Sequence, residues 1–202
     1  MSKYTVQIHH DEECDCPCEN DGSWQFYSFS SRHNRYKNPE EFLTPNLKPK
    51  LGTLNKLRVG LAFFLDYYEH GLCVWSVSGE GPQDRWDTAK FAGIAVWEEN
   101  PSNMGAKTYE DRKADCRSAA EEYTNWCNGQ CYGYIIVDNE NNDEIVDSCF
   151  GFIGDYIAEA IQEAMPEDAT PENTTVSGAA KDIADYLEIF PKRKNNAPQP
   201  AA

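Results

Sequence analysis

Apolar and polar positions alternate along the chain in patterns that divide it into strands and helices. Tyr4-Thr5-Val6-Gln7-Ile8 has the period of two of a half-buried strand, and Trp24 to Phe29 reads as a second strand beyond an acidic loop. Pro39 to Leu43 fits one helical turn, because Pro is tolerated at a helix start. Asn46 to Asn55 contains Pro and Lys and reads as a connection. Leu61 to Tyr68 and Leu72 to Ser78 predict a hairpin that turns at Glu69-His70-Gly71. Gly79 to Asp87 reads as a loop, and Phe91 to Trp97 as the next strand.

The clearest helix follows. Thr108 and Asp111 stand at capping-box spacing, with Asp in place of the commoner Glu. Cys116, Ala120, Tyr123 and Cys127 recur on one helical face, which predicts a buried stripe packed on the strand that holds Tyr132, Tyr134 and Ile136. Asn128-Gly129 closes the helix, the glycine supplying a left-handed cap. Gln130 to Asp138 and Glu144 to Phe152 predict an antiparallel pair around a polar turn. Asp155 is placed to cap a further helix with Ile157, Ile161, Ala164 and Met165 as its apolar stripe. The order predicts an α+β fold: a mainly antiparallel sheet with one long helix and one or two shorter ones packed on it. A single domain is expected over residues 1–165, then a flexible linker at 166–178, a short helix at 179–190 and a disordered tail at 191–202.

Charge changes the picture more than composition does. Forty per cent of the 202 residues are hydrophobic, enough for a packed core, yet the formal net charge is −16. Such a surface repels phosphate, so direct nucleic-acid binding is not expected, and a basic partner is. No Lys or Arg occurs between Arg117 and Lys181, an interval that holds thirteen carboxylates. Asp155, Glu159 and Glu163 repeat every four residues, roughly 6 Å apart in helical rise. Like charges at that spacing are mildly destabilising. Asp138, Glu140, Asp143, Glu144, Asp147, Asp155, Glu159 and Glu163 are therefore the candidate docking residues, an anionic and DNA-mimicking surface for the basic groove of a nucleic-acid-handling protein. The competing reading is a solvated face that only aids solubility.

Eight cysteines are many for the reducing cytoplasm, which is the expected compartment because Met1 to Ile8 has no signal-like apolar stretch. Val59 to Leu65, the longest mainly apolar run, is too short to cross a bilayer, so no membrane partner is expected. Cys73, Cys116, Cys127, Cys131 and Cys149 are expected to pack as small apolar residues. Cys14, Cys16 and Cys18 follow a His- and acid-rich stretch and, with His33 as a remote fourth ligand, offer a zinc site. The one-residue gaps between them are shorter than in familiar zinc motifs. Flanking carboxylates should raise the pKa of these thiols, which argues against a catalytic nucleophile.

Asn128-Gly129-Gln130-Cys131-Tyr132-Gly133-Tyr134, followed by Asp147-Ser148-Cys149-Phe150-Gly151-Phe152-Ile153-Gly154-Asp155, resembles a signature of an uncharacterised family of small acidic bacteriophage and mobile-element proteins. The resemblance extends from Tyr4 to Asp155, with the hairpin its specific part. It departs from the family at Phe150-Gly151-Phe152-Ile153, where Trp-Gly-Phe-Tyr is usual, and in the cysteine-rich first loop. The family carries no established activity, so the resemblance implies only a phage or mobile-element setting; with the acidic field, the leading reading is a phage-encoded accessory protein in the host cytoplasm that binds and inhibits a host protein, such as a nuclease, restriction or CRISPR component. Gly133, Gly151 and Gly154 are expected to permit close packing or a bulge beside aromatics. The alternative function is a small enzyme acting on a cationic or nucleotide-derived substrate, with His70, Glu69, Trp86 and Asp87 the mid-chain candidates. The chain has no phosphate-binding loop, dinucleotide fingerprint, zinc-protease motif or nucleophile elbow. A homo-oligomer is compatible with either function.

Overall fold

The computed structural model describes residues 2–19, 22–180, 183, 189 and 190. In chain order its elements are β1 (Tyr4–His10), β2 (Gln25–Ser28), α1 (Leu51–Arg58), β3 (Ala62–His70), β4 (Leu72–Val77) and β5 (Thr88–Val96). Then come α2 (Tyr109–Cys127), β6 (Cys131–Asp138), β7 (Glu144–Ile153), α3 (Ile157–Ala164) and β8 (Thr174–Gly178). The fold is α+β, with two mostly antiparallel four-stranded sheets. The single domain expected over residues 1–165 resolves into two compact units, Met1–Cys14 with Cys131–Ala202, and Asp15–Gln130. The inserted segment builds a sheet and a core of its own.

In the inserted unit the strand order is β2-β5-β3-β4, antiparallel throughout. Both capping-box hydrogen bonds form at the start of α2: Asp111 N donates to Thr108 Oγ1 and Thr108 N to the Asp111 carboxylate. Cys116, Ala120 and Tyr123 are buried as expected, but among Phe26, Phe63 and Trp75 of this unit's own sheet. The Tyr123 ring stacks on Phe26 with centroids 4.9 Å apart. Tyr132, Tyr134 and Ile136, the expected partners, fill the core of the other unit. Helical periodicity marks which face is buried and is silent about which sheet covers it. Cys127, the last residue of the expected stripe, is exposed. Helix α1 replaces an expected connection; it buries no residue fully, and its Leu51, Leu54 and Leu57 recur at a helical spacing that the Pro- and Lys-containing flank obscured.

Strand β4 ends this sheet, and its outer backbone groups are taken by side chains of α2. Thr124 Oγ1 accepts from Trp75 N–H at 2.9 Å and donates to Trp75 C=O at 3.2 Å. Asn128 accepts from Cys73 N–H and donates to Cys73 C=O, both at 2.9 Å. Residues four apart on a helix are separated by roughly 6 Å and residues two apart on a strand by roughly 6.6 Å, so the two repeats match. The helix thereby mimics a neighbouring strand. Asp66, 1 % exposed, organises the loop that follows β4. Its carboxylate accepts from the Ser78 hydroxyl, the Gly79 and Phe91 amides and the Gln83 side chain. Burial pushes its pKa up, but these donors outweigh burial and hold it below the usual carboxylate range. Glu80, from the same loop, accepts a bidentate pair from Arg117 and a third bond from Lys113.

In the first unit the order is β7-β6-β1-β8. β1 pairs antiparallel with β6, β6 antiparallel with β7, and β1 parallel with β8. β7 and β8 therefore run the same way and are joined through α3. Val6, Ile8, Tyr132, Tyr134 and Ile136 pack against Ile157 and Ile161 of α3. Two expectations are corrected here. Thr174–Gly178, expected within a linker, is a strand whose ladder with Tyr4–Ile8 supplies what its single Val176 cannot announce. Asp155 does not cap α3, because a 3-10 turn at Gly154–Tyr156 intervenes and no side-chain cap bond forms. The helix expected at 179–190 lies largely, and the tail at 191–202 wholly, outside the described residues; Ala180, Ile183 and Ile189 are buried in this core. No helix among the described residues is long and apolar enough to cross a membrane.

Thr124→Val and Asn128→Ala should each lower stability by about 1–3 kcal/mol, since each leaves backbone groups of β4 without partners; urea titration checks this. The Arg117 pair, opposed by burial and aided by Lys113, lowers the Glu80 pKa to about 2 from an ordinary 4.5. A depressed carboxyl stabilises the fold above its unfolded pKa. That contribution should be lost as pH falls from about 4.5 to about 2. Glu80→Gln should flatten the acid limb of a stability–pH curve in that window.

Candidate protein-docking surface

The β6–β7 hairpin carries five of the eight candidate acids. Its turn places Asn142 and Asp143 in left-handed backbone conformations, at φ 56° and 57°, which Asn and Asp tolerate better than most side chains. Glu144 N donates to Asn141 C=O, and the Asp138 carboxylate accepts from the Glu140 amide. Asp138, Glu140, Asp143 and Glu144 thus gather at one end of the sheet. β7 is an edge strand with two register shifts against β6. The first leaves Val146 as an extra residue, so Ile145 and Val146 are both exposed although adjacent. The second falls at Gly151, whose φ is +94°. On the outer face, the Phe150 ring lies where a side chain on Gly133 would stand. The expectation that the signature glycines serve packing holds for this pair.

On the opposite face, Tyr134 stacks on Phe152 with centroids 5.7 Å apart and donates its hydroxyl to Asp147 at 2.8 Å. Burial raises the Tyr134 pKa, and Asp147, Cys149 and Glu163 raise it further. Asp147 of β7 thus bonds this tyrosine, and the charge of Glu163 on α3 acts on it. Asp155, Glu159 and Glu163 are exposed. Glu159 and Glu163, with Glu167, border a hollow of about 600 Å³ whose apolar lining includes Met165, Pro166, Ile189 and Phe190. Among the described residues of this unit Lys3 is the one Lys or Arg, and it is tied to Asp168. The eight candidates thus divide between the hairpin turn, the β7 face and α3. Glu167, one of the thirteen carboxylates of the acidic interval but not one of the eight candidates, joins Glu159 and Glu163 at this hollow.

The cysteine-rich loop is split. Cys16 and Cys18 are buried in the core of the inserted unit, while Cys14 meets Cys131. His33 bonds Ser28 Oγ through Nδ1 at 2.8 Å and packs its ring 4.7 Å from Tyr67. Among the described residues, no three His, Cys, Asp or Glu side chains are arranged to hold a metal ion. The expected upward shift fails for Cys16: the Cys18 thiol donates to it and, against burial, lowers it to about 7. Of the mid-chain candidates, His70 bonds Asp87 at 3.0 Å on the exposed surface. Sequence reading missed a cavity of about 410 Å³ in the inserted unit, lined by His33, Tyr67, Trp75, Tyr123 and Trp126 with the Cys73 and Cys127 thiols. The cross-strand pair Tyr67 and Trp75 and the helical pair Tyr123 and Trp126 were its only sequence signal.

No family model, curated protein or solved structure matches the chain.

Gly133→Val should displace the Phe150 ring and destabilise the hairpin by about 1–3 kcal/mol. Adding Phe150→Ala should restore part of the loss, and a double-mutant cycle in urea measures the coupling.

Proposed function

We propose that the protein is a binding module for a basic protein surface, docking through the hollow beside α3 and the neighbouring β6–β7 hairpin. The observation that carries this reading is the hollow itself, whose lining combines three glutamates with apolar side chains. That pairing suits Lys and Arg, whose alkyl stems lie on apolar surface while their charged heads reach carboxylates. The exposed Ile145, Val146 and Phe150 beside Glu144 and Asp147 offer a second mixed contact of the same kind. An anionic field over the whole unit would speed encounter with such a partner and compete with nucleic acid for its basic groove. In the phage setting implied by the hairpin signature, the partner is a host nucleic-acid-handling defence protein, and binding inhibits it.

The test compares Glu159→Gln/Glu163→Gln/Glu167→Gln with a control of equal charge change, Glu12→Gln/Glu13→Gln/Glu121→Gln. Each is titrated calorimetrically with a Lys/Arg-rich peptide at low and physiological salt. The docking triple should lose at least tenfold in affinity and most of its salt response, because exposed charges are screened over about 8 Å at physiological ionic strength. The control should stay within twofold of the parent protein. Equal losses in both triples would reduce the acidity to a solubility feature.

A further inference from the structure

Six of the eight cysteines meet another thiol: Cys14 with Cys131, Cys16 with Cys18, and Cys73 with Cys127. Cys131 is buried, and so are both members of the second pair. The third pair differs. Cys73 is half-buried, Cys127 is exposed, and both line the 410 Å³ aromatic cavity, which gives a small oxidant room to approach. Their relative position is also fixed. The side chain of Asn128, the residue after Cys127, holds the Cys73 backbone N–H and C=O at 2.9 Å each, and Thr124 holds Trp75 one helical turn earlier.

We propose that Cys73 and Cys127 are a reversible disulfide site that locks the C-terminal end of α2 onto the edge of β4. The oxidant is a small-molecule disulfide of the glutathione class. The Cys73 thiolate attacks one sulfur of the oxidant, breaking its S–S bond and releasing one thiolate. The Cys127 sulfur, giving up its proton, then attacks Cys73 in the mixed disulfide, forms the protein S–S bond and expels the second thiolate. The two protons lost by the cysteines go to the two thiolates released, so one oxidant disulfide becomes two thiols. Both thiols line the cavity by which the oxidant enters, and the hydrogen bond between them lowers Cys73 and raises Cys127. The bond would add a covalent tie to an edge that the Thr124 and Asn128 side chains already hold by hydrogen bonds.

The full chain is equilibrated across a series of oxidised-to-reduced glutathione ratios, acid-quenched, alkylated, digested and read by mass spectrometry. A Cys73–Cys127 peptide pair, lighter by two hydrogens than the free peptides, is expected to appear and to vanish on reduction. The oxidised protein should melt several degrees above the reduced one. Cys127→Ser should abolish the link and the shift while Cys73 accumulates the glutathione adduct. The proposal is overturned if both thiols stay alkylatable at a ratio that modifies the exposed Cys149, if either links elsewhere, or if the link leaves the melting temperature unchanged. The link and the shift are read in the parent protein, so they hold even if a serine variant folds poorly.

Discussion

The ladder between β1 and β6 is the constraint on which the first unit depends. It runs in register from Tyr4 opposite Asp138 to His10 opposite Tyr132, across the whole inserted unit. Closing so long a loop costs conformational entropy before any contact rewards it, and the cost grows only slowly with length. An insertion that folds on its own core removes most of that cost. Once β1 lies beside β6, its other edge becomes the template for β8, and Val6 and Ile8 complete the floor on which Ile157 and Ile161 pack. The docking hollow inherits its position from this ladder, since α3 is placed by the strands beneath it.

The two sheets treat their exposed edges in different ways, and the difference follows from what lies next to each. β4 has α2 alongside, and Thr124 and Asn128 occupy its backbone groups as a strand would. β7 has no such neighbour among the described residues. It is protected instead by two bulges and by Glu144 and Asp147, which spoil the flat, neutral edge that another chain could extend. In the proposed role, contact at β7 would therefore use its faces and flanking acids rather than its backbone.

Charge and apolar surface act together in the proposed role. Carboxylates alone give long-range attraction that salt screens, whereas Met165 and Phe190 would add short-range contact that salt does not weaken. The like-charge spacing along α3 costs little in water, and Lys3, the one base among the described residues of this unit, is tied to Asp168.

The sequence by itself determined the local elements. The β3–β4 and β6–β7 hairpins, the capping box of α2, its buried face and the acidic interval all rest on neighbours within a few turns or strand residues, where period, cap and turn chemistry act directly. Glu159 and Glu163 were legible as an acidic helical face for the same reason. The tertiary structure alone decided which sheet received the Cys116 stripe, that β8 was a strand, and that the charge of Glu163 on α3 acts on Tyr134 of β6. It also decided which thiols met. These outcomes depend on pairings between distant segments, and a periodic pattern states that a face must be covered without encoding what covers it.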